Sequence, residues 1–160
     1  MGFLEDKLQR IISSEKDDAF AYDLKQQWKR FLDDCFILWN RSRQDLKYFN
    51  ETLNSLHGDI KFKMEVSDKS LPFLDSVVIK NGTSLSTDIY FKDTDSQQYL
   101  NFKSCHPKHT KTNIPYCLAR RICTIVSDHA ILQRRLIELT ESLVNRGYPL
   151  QIIMNGIQNY

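Results

Sequence analysis

The feature that most constrains this sequence is a pair of adjacent carboxylates, Asp33 and Asp34, between two hydrophobic runs rich in aromatic residues. The runs extend from Trp28 to Leu32 and from Cys35 to Trp39. Apolar runs bounded by polar residues are typical of strands, so we predict a tight hairpin with the two carboxylates at its tip. Asp also favours turns, so a turn without chemistry is the simpler alternative. Because neighbouring like charges repel and oxygen ligands suit Mg²⁺, the pair is also a candidate metal site.

The net charge of +2 conceals an uneven distribution along the 160 residues. Residues 1–102 carry 14 Lys/Arg and 17 Asp/Glu, a net of −3, whereas residues 103–160 carry 8 and 3, a net of +5. A local excess of basic residues indicates a polyanion partner, although a solvated basic face is an equal alternative. The length allows one domain or two small subdomains, and the composition is that of a globular protein.

Membrane insertion and secretion are not expected from the sequence. No apolar stretch approaches the length that spans a bilayer, and charged residues interrupt the N-terminal region where a signal peptide would have its apolar core. Four cysteines without a secretory signal indicate reduced thiols. We therefore expect an intracellular protein, nuclear or cytoplasmic, with no membrane partner.

Apolar spacing predicts most of the secondary structure. We expect a helix over residues 3–13, an ambiguous segment over 15–27, and a helix that begins at Ser42 with capping-box spacing to Asp45. Alternation predicts a strand over 60–66, a continuous strand over 71–79, and a returning strand over 85–91 after the Asn81-Gly82 turn.

Three helices are predicted after residue 100. The first is expected to start near Asn113 and Pro115, since proline is favoured in a first helical turn. The second is capped by Ser127-Asp128 and ends at Gly147, and Pro149 opens the third.

Short motifs follow one another in a characteristic order along residues 28–150. They include Phe31-Leu32-Asp33-Asp34, Phe73-Leu74-Asp75, Thr87-Asp88-Ile89-Tyr90-Phe91-Lys92, Ser104-Cys105-His106-Pro107, Arg120-Arg121-Ile122-Cys123 and Arg146-Gly147-Tyr148-Pro149. The ordered set resembles the reverse transcriptases of Penelope-like retroelements. The tail from about residue 100 to 150 also resembles the region of those proteins that is classed as a helix-turn-helix domain.

The resemblance implies a polymerase palm followed by a helical thumb. It implies that Asp33 and Asp34 are catalytic residues that hold Mg²⁺ for RNA-directed DNA synthesis. The family supplies a further carboxylate from a palm strand far upstream, and Asp17, Asp18 and Asp23 lie too close in sequence to replace it. We therefore expect a fragment that is inactive as a polymerase alone and that has upstream polymerase segments as a possible partner.

The predicted fold is α+β, with a partial polymerase palm of antiparallel hairpins plus helix, followed by an all-α three-helix unit. The predicted domains are an N-terminal helical segment (1–27), the partial palm (28–100), and the helical thumb or helix-turn-helix-like domain (101–160). The predicted contacts to nucleic acid are Lys103, His106, Lys108, His109, Lys111, Arg120, Arg121, Arg134 and Arg135.

The tail has two other interpretations. Cys105, His106, His109 and Cys117 invite a zinc site, but their spacing fits no familiar finger, so no zinc is expected. A helix-turn-helix nucleic-acid-binding module without polymerase activity is the alternative function. Such a module reads base pairs in the major groove, whereas a thumb holds the backbone of an RNA–DNA hybrid.

Overall fold

The computed structural model describes residues 2–158, which form six helices and two antiparallel sheets. This confirms the α+β class with an all-helical C-terminal part. The chain divides into two compact units, Met1–Val66 and Ser67–Tyr160. This division differs from the palm–thumb boundary near residue 100, which rests on the family resemblance and stays a prediction. No helix in the described range has the length and apolarity that crossing a membrane requires.

The first unit contains three helices and a two-stranded hairpin. Its elements are α1 (Gly2–Glu15), α2 (Asp18–Gln27), β1 (Trp28–Phe31), β2 (Asp34–Ile37) and α3 (Arg43–Ser55). The predicted helix over 3–13, the predicted hairpin and the predicted cap of α3 are confirmed, since Ser42 accepts a hydrogen bond from the Asp45 N–H at 3.0 Å. The ambiguous segment forms α2, which Asp17 caps by accepting from the Phe20 N–H.

Aromatic rings form much of the core of the first unit. Phe49 of α3 is buried, and the rings of Trp28 and Trp39 lie 5.8 and 5.6 Å from it between centroids. Phe20 meets Trp39 edge to face at 5.7 Å. Edge contacts of this kind add to the stabilisation from burial. The two tryptophans that flank the Asp33-Asp34 hairpin thus anchor its base to α2 and α3.

The strand predicted over residues 60–66 is absent. The alternation is real, because Ile60, Phe62 and Met64 pack against the core of the first unit. No neighbouring strand in the described chain pairs with the segment. Instead, the side chain of Asn54 accepts from the Phe62 N–H at 2.6 Å and donates to the Phe62 carbonyl at 3.2 Å. A side-chain amide therefore replaces one rung of a β-ladder.

The second unit begins with a three-stranded meander. Its strands are β3 (Ser70–Phe73), β4 (Ser76–Asn81) and β5 (Ser84–Ile89), paired in the order β3-β4-β5. The prediction of one continuous strand over 71–79 was wrong, because Leu74 and Asp75 form a two-residue turn in the middle of it. The turn after Asn81 is confirmed, with Gly82 at a φ of +63°.

Three helices complete the second unit: α4 (Lys108–Ile125), α5 (His129–Asn145) and α6 (Leu150–Gln158). Asp128 caps α5 by accepting from the Ile131 N–H, and Gly147 follows its end with a φ of +83°, as predicted. The predicted start of α4 near Asn113 was wrong, because the helix begins at Lys108 and Pro115 lies inside it. A proline there forfeits one helical hydrogen bond. The buried contact of Pro115 with α6 accounts for its tolerance.

Candidate nucleic-acid interface

The positive charge of the three-helix region is concentrated on α4. This helix carries Lys108, Lys111, Arg120 and Arg121 and contains no acidic residue. In α5, two arginines are balanced by Glu138 and Glu141, and α6 has no charged residue at all. A polyanion would therefore meet the strongest attraction along α4 and the segment before it.

One face of α4 is exposed along its length. Successive residues on it are spaced by three or four positions, which keeps them on one side of the helix: His109, Asn113, Cys117, Arg120 and Thr124. The opposite face is buried against the second unit's core through Pro115, Ala119 and Ile122. The exposed face thus combines one arginine with imidazole, amide and hydroxyl groups, which can bond to phosphates or to base edges.

The beginning of α4 gathers further basic side chains. Lys103, His106, Lys108 and His109 are all exposed within seven residues of sequence. Pro107 is the N-cap, and no side chain of the described residues caps the free N–H groups there. Unsatisfied amide groups and the positive end of the helix dipole favour an anion at this position.

Arg135 lies elsewhere and is already engaged. Its guanidinium donates to both carboxylate oxygens of Asp88 on β5 at 3.0 and 2.7 Å, and to Glu138 at 2.7 Å. Burial alone would raise the pKa of Asp88, but the hydrogen bonds and charge of Arg135 hold that pKa below its usual value. The arrangement joins α5 to the sheet and occupies the guanidinium of Arg135, which is therefore a poor candidate for contact with a phosphate.

Three other predicted cations form interactions of different strength within the chain. Lys111 is half-buried, donates to the Ser104 carbonyl at 2.8 Å and lies 5.5 Å above the Phe102 ring. Arg121 forms an exposed ion pair with Asp75 at 3.2 Å, and a phosphate could replace Asp75 as its partner. Arg134 lies 3.8 Å from Glu138 on the surface of α5. Of the nine predicted contacts, the structure brings together the four near the start of α4 and places Arg120 further along the same helix.

Thr87 of β5 supports the turn between α4 and α5. The Thr87 carbonyl accepts from the Ser127 N–H at 3.1 Å, and the Ser127 hydroxyl accepts from the Thr87 N–H at 2.8 Å. The Thr87 hydroxyl donates to the Ile125 carbonyl at 2.5 Å. These bonds join β5 to the end of α4 and to the turn before α5, and no sequence pattern revealed them.

A second set of contacts holds the segment before α4. Arg146 donates to the Tyr99 carbonyl at 2.6 Å, and the Phe102 N–H donates to the Arg146 carbonyl at 3.0 Å. The rings of Phe102 and Tyr148 lie 5.0 Å apart. Lys103 and its basic neighbours are therefore positioned by the turn between α5 and α6.

Asp33 and Asp34 lie at the tip of the β1–β2 hairpin in the first unit. Asp33 is in the two-residue turn, and Asp34 is the first residue of β2, paired with Phe31; both are exposed. Two carboxylates fit part of the ligand set of a divalent ion. Within residues 2–158 they belong to no group of three or more metal-binding side chains. Their roles as catalytic residues and Mg²⁺ ligands stay predictions, as does the expected lack of zinc.

Comparison with known families bears on the C-terminal region. Residues 98–158 match the family model described as an animal helix-turn-helix domain. The match covers α4, α5 and α6 and the segment that leads into them. No curated protein and no solved structure matches the chain. The three-helix region is thus similar to a helix-turn-helix domain, and the resemblance to Penelope-like reverse transcriptases stays a prediction.

Proposed function

We propose that the C-terminal unit binds duplex nucleic acid in the manner of a helix-turn-helix module, with the exposed face of α4 towards the duplex. The observation that carries this proposal is the exposed face of α4, which has Arg120, several hydrogen-bonding groups and no carboxylate, with Lys103 and Lys108 near its start. Its position inside the region similar to a helix-turn-helix domain supports it. Helix α6 is a poorer candidate because it has no cation to meet a phosphate.

The proposed contacts differ in kind. Lys103, Lys108 and Arg120 meet phosphates, and the free N–H groups at the start of α4 add a further phosphate site. Asn113 and His109 are the side chains suited to base edges, since amide groups can form two hydrogen bonds with adenine. Most of the affinity is therefore electrostatic, and sequence preference rests on few groups.

The proposal is tested by fluorescence anisotropy with the full chain at low salt. Labelled B-form DNA, RNA–DNA hybrid and single-stranded RNA of equal length are compared in competition. Binding to duplex probes that decreases steeply with salt is expected. Preference for B-form DNA supports a groove reader, and preference for the hybrid supports a thumb-like grip of the backbone.

Matched variants locate the surface. Arg120→Ala and Lys108→Ala are expected to weaken binding, whereas Arg10→Ala, which removes an exposed cation from α1, leaves it unchanged. If no probe binds at low salt, or if Arg120→Ala and Lys108→Ala both bind like the wild type, the α4 surface is not a nucleic-acid interface.

A second candidate function is that of a reverse-transcriptase fragment. The geometry that favours it is the exposed Asp33-Asp34 pair at a hairpin tip whose base is anchored by Trp28 and Trp39. Such a tip could present two carboxylates to a hydrated Mg²⁺. The metal would supply charge neutralisation at a growing 3′ end, and a complete site needs a further carboxylate.

This candidate is tested by extension of a primer on an RNA template in the presence of Mg²⁺. The chain alone is expected to give no product. Product that disappears in Asp33→Asn would establish polymerase activity and overturn that expectation. Product unaffected by Asp33→Asn would point to a contaminant.

A further inference from the structure

Helix α5 has a second face that the core of the C-terminal unit does not cover. Its residues follow one another at intervals of four and three, and we call them the α5 seam: Ala130, Arg134, Ile137, Glu141 and Val144. Ile137 is 60% exposed and Val144 48% exposed. The other side of the helix is buried through Leu139 and Leu143.

The spacing of the α5 seam is that of a helix that packs against another helix. Alternating steps of three and four keep side chains on one line along a helix, as at the contact positions of coiled coils. Burial of the large apolar side chains on this line by a partner lowers the free energy. The line also contains one cation and one carboxylate, so a partner helix must present the opposite charges at the matching positions.

The two charges of the seam lie on either side of Ile137, at nearly equal distances along the helix. Arg134 precedes it by three positions and Glu141 follows it by four. When two copies of α5 run antiparallel across a twofold axis near Ile137, each Arg134 lies opposite the Glu141 of the other copy. Ile137 then meets Ile137, and Val144 lies opposite Ala130. A surface that complements itself in this way is what an isologous dimer contact requires.

The contacts within one chain leave Arg134 and Glu141 available for ion pairs with a second chain. Glu138 already accepts from Arg135 at 2.7 Å, and its distance to Arg134 is 3.8 Å in an exposed pair. Exposed pairs of this kind contribute little to stability and are readily exchanged. Glu141 has no ion-pair partner among the described residues.

From the seam we infer that this protein forms a homodimer through antiparallel pairing of two α5 helices. The contact is one helix long, about 25 Å for 17 residues at the usual helical rise. A contact of this size lies at the small end of specific interfaces, so a weak dimer is expected. Pairing of α5 is independent of the α4 surface, so the dimer and nucleic-acid binding can fail separately.

The first test is the concentration dependence of molar mass of the full chain, by sedimentation equilibrium. Reversible dimerisation is expected, and Ile137→Asp is expected to weaken it at least about tenfold, because it places two carboxylates at the centre of the contact. Val66→Asp, which changes an equally exposed apolar residue outside α5, is the matched control and should dimerise like the wild type. Circular dichroism verifies that all variants are folded.

The second test exchanges the charges. Arg134→Glu alone and Glu141→Arg alone each place like charges opposite one another twice, so each should be monomeric where the wild type dimerises. A mixture of the two variants restores both opposite-charge pairs and should form a heterodimer. The double variant within one chain should form a homodimer again.

The outcomes of the two tests decide whether two α5 helices pair and whether they pair in the antiparallel register. A chain that stays monomeric up to about 1 mM overturns the inference, because the contact would then add less than about 4 kcal/mol. A dimer that is unaffected by Ile137→Asp overturns it as well and places the contact elsewhere. Dimers of the single charge variants as stable as the mixture would exclude the antiparallel register.

Discussion

Arg135 of α5 and Asp88 of β5 form a two-point ion pair, with both carboxylate oxygens within 3.0 Å of guanidinium nitrogens. The two residues are 47 positions apart in the sequence, and Asp88 is only 7% exposed. Arg135 also lies 5.5 Å above the ring of Phe91. Apart from Arg135, this buried carboxylate accepts from the Ile89 N–H at 2.8 Å, so the pair supplies its charged partner and holds the helix to the sheet.

Removal of the carboxylate charge is expected to destabilise the protein. Asp88→Asn leaves the half-buried Arg135 without its main partner, and a loss of about 2–3 kcal/mol in the free energy of unfolding is expected. Urea denaturation measures it. Asp75→Asn, which breaks the exposed pair with Arg121, serves as control and should change stability by less than about 0.5 kcal/mol. Equal losses for the two variants would contradict the structural role of the pair.

The same pair predicts a pH dependence. The folded pKa of Asp88 lies below the ordinary aspartate value of 3.8, so the unfolded chain takes up a proton at higher pH than the folded protein does. The stabilisation from the Arg135–Asp88 pair is therefore complete above the ordinary pKa of aspartate and is lost as the pH falls through the folded pKa of Asp88. Denaturation at stepped pH should show the wild-type advantage over Asp88→Asn shrinking below about pH 4. An advantage that grows with acidity would mean the opposite sign of shift.

Close packing between α4 and α6 leads to a prediction at Gly156. A Cβ atom there would lie 2.7 Å from the Cβ of Pro115 and 2.8 Å from the Tyr116 nitrogen. Gly156→Ala should therefore lower the free energy of unfolding by about 1–3 kcal/mol, despite the better helix propensity of alanine. Gly58→Ala, with open space around it, is the control. Thermal denaturation of both variants checks the prediction, which an unchanged melting temperature in Gly156→Ala would refute.

Strain at the two Phe-Leu-Asp hairpins leads to a further prediction. Leu32 and Leu74 occupy the same turn position in β1–β2 and β3–β4, with φ of +53° and +56°. This conformation is unfavourable for leucine and tolerable for asparagine. Leu32 is 71% exposed, so Leu32→Asn should raise the free energy of unfolding by about 0.5–1 kcal/mol without loss of packing. Leu85→Asn, in an extended strand, should give no such gain.

Salt dependence measures how many phosphates the α4 surface contacts. With Lys103, Lys108 and Arg120 bound to phosphates, the logarithm of the binding constant should fall with the logarithm of salt concentration with a slope of about −3. Lys108→Ala should reduce this slope by about 1 for every probe sequence. Titrations at several salt concentrations give both slopes. A variant with the wild-type slope would remove Lys108 from the interface.

Asn113→Ala should behave differently from the lysine variant. Because its side chain is uncharged and exposed in the middle of the α4 face, its loss leaves the salt slope unchanged. An effect that depends on the probe sequence would assign it to base edges, at about 1–3 kcal/mol for a preferred site. Competition among duplexes of different sequence measures this. An equal loss for every sequence would instead assign Asn113 to the backbone.

Local patterns were sufficient for elements whose determinants lie close together in sequence. Ser42 with Asp45, and Asp128 before His129, specify helix starts through side-chain hydrogen bonds within one turn. Gly147 marks a helix end because its positive φ is accessible to glycine. The hairpin over Asp33 and Asp34 was also predictable, since its strands are adjacent in the chain.

Two predictions failed because the deciding interaction came from a residue outside the segment itself. The alternating segment 60–66 has the pattern of a strand, but its backbone meets the side chain of Asn54 instead of a neighbouring strand. Pro115 has the sequence signature of a helix start, but its contact with α6 allows it inside α4. Neither partner can be identified from local periodicity.

The sequence by itself determined the chemical character of the chain: the carboxylate hairpin, the basic C-terminal region and the order of the helices. These depend on residue type and on spacing within a few positions. Only the tertiary structure decided which cations are available, because availability depends on the partners that folding brings to each cation. Arg135 is bound by Asp88 and Lys111 by the Ser104 carbonyl, whereas Arg120 faces solvent on the same uncovered side of α4 as Asn113.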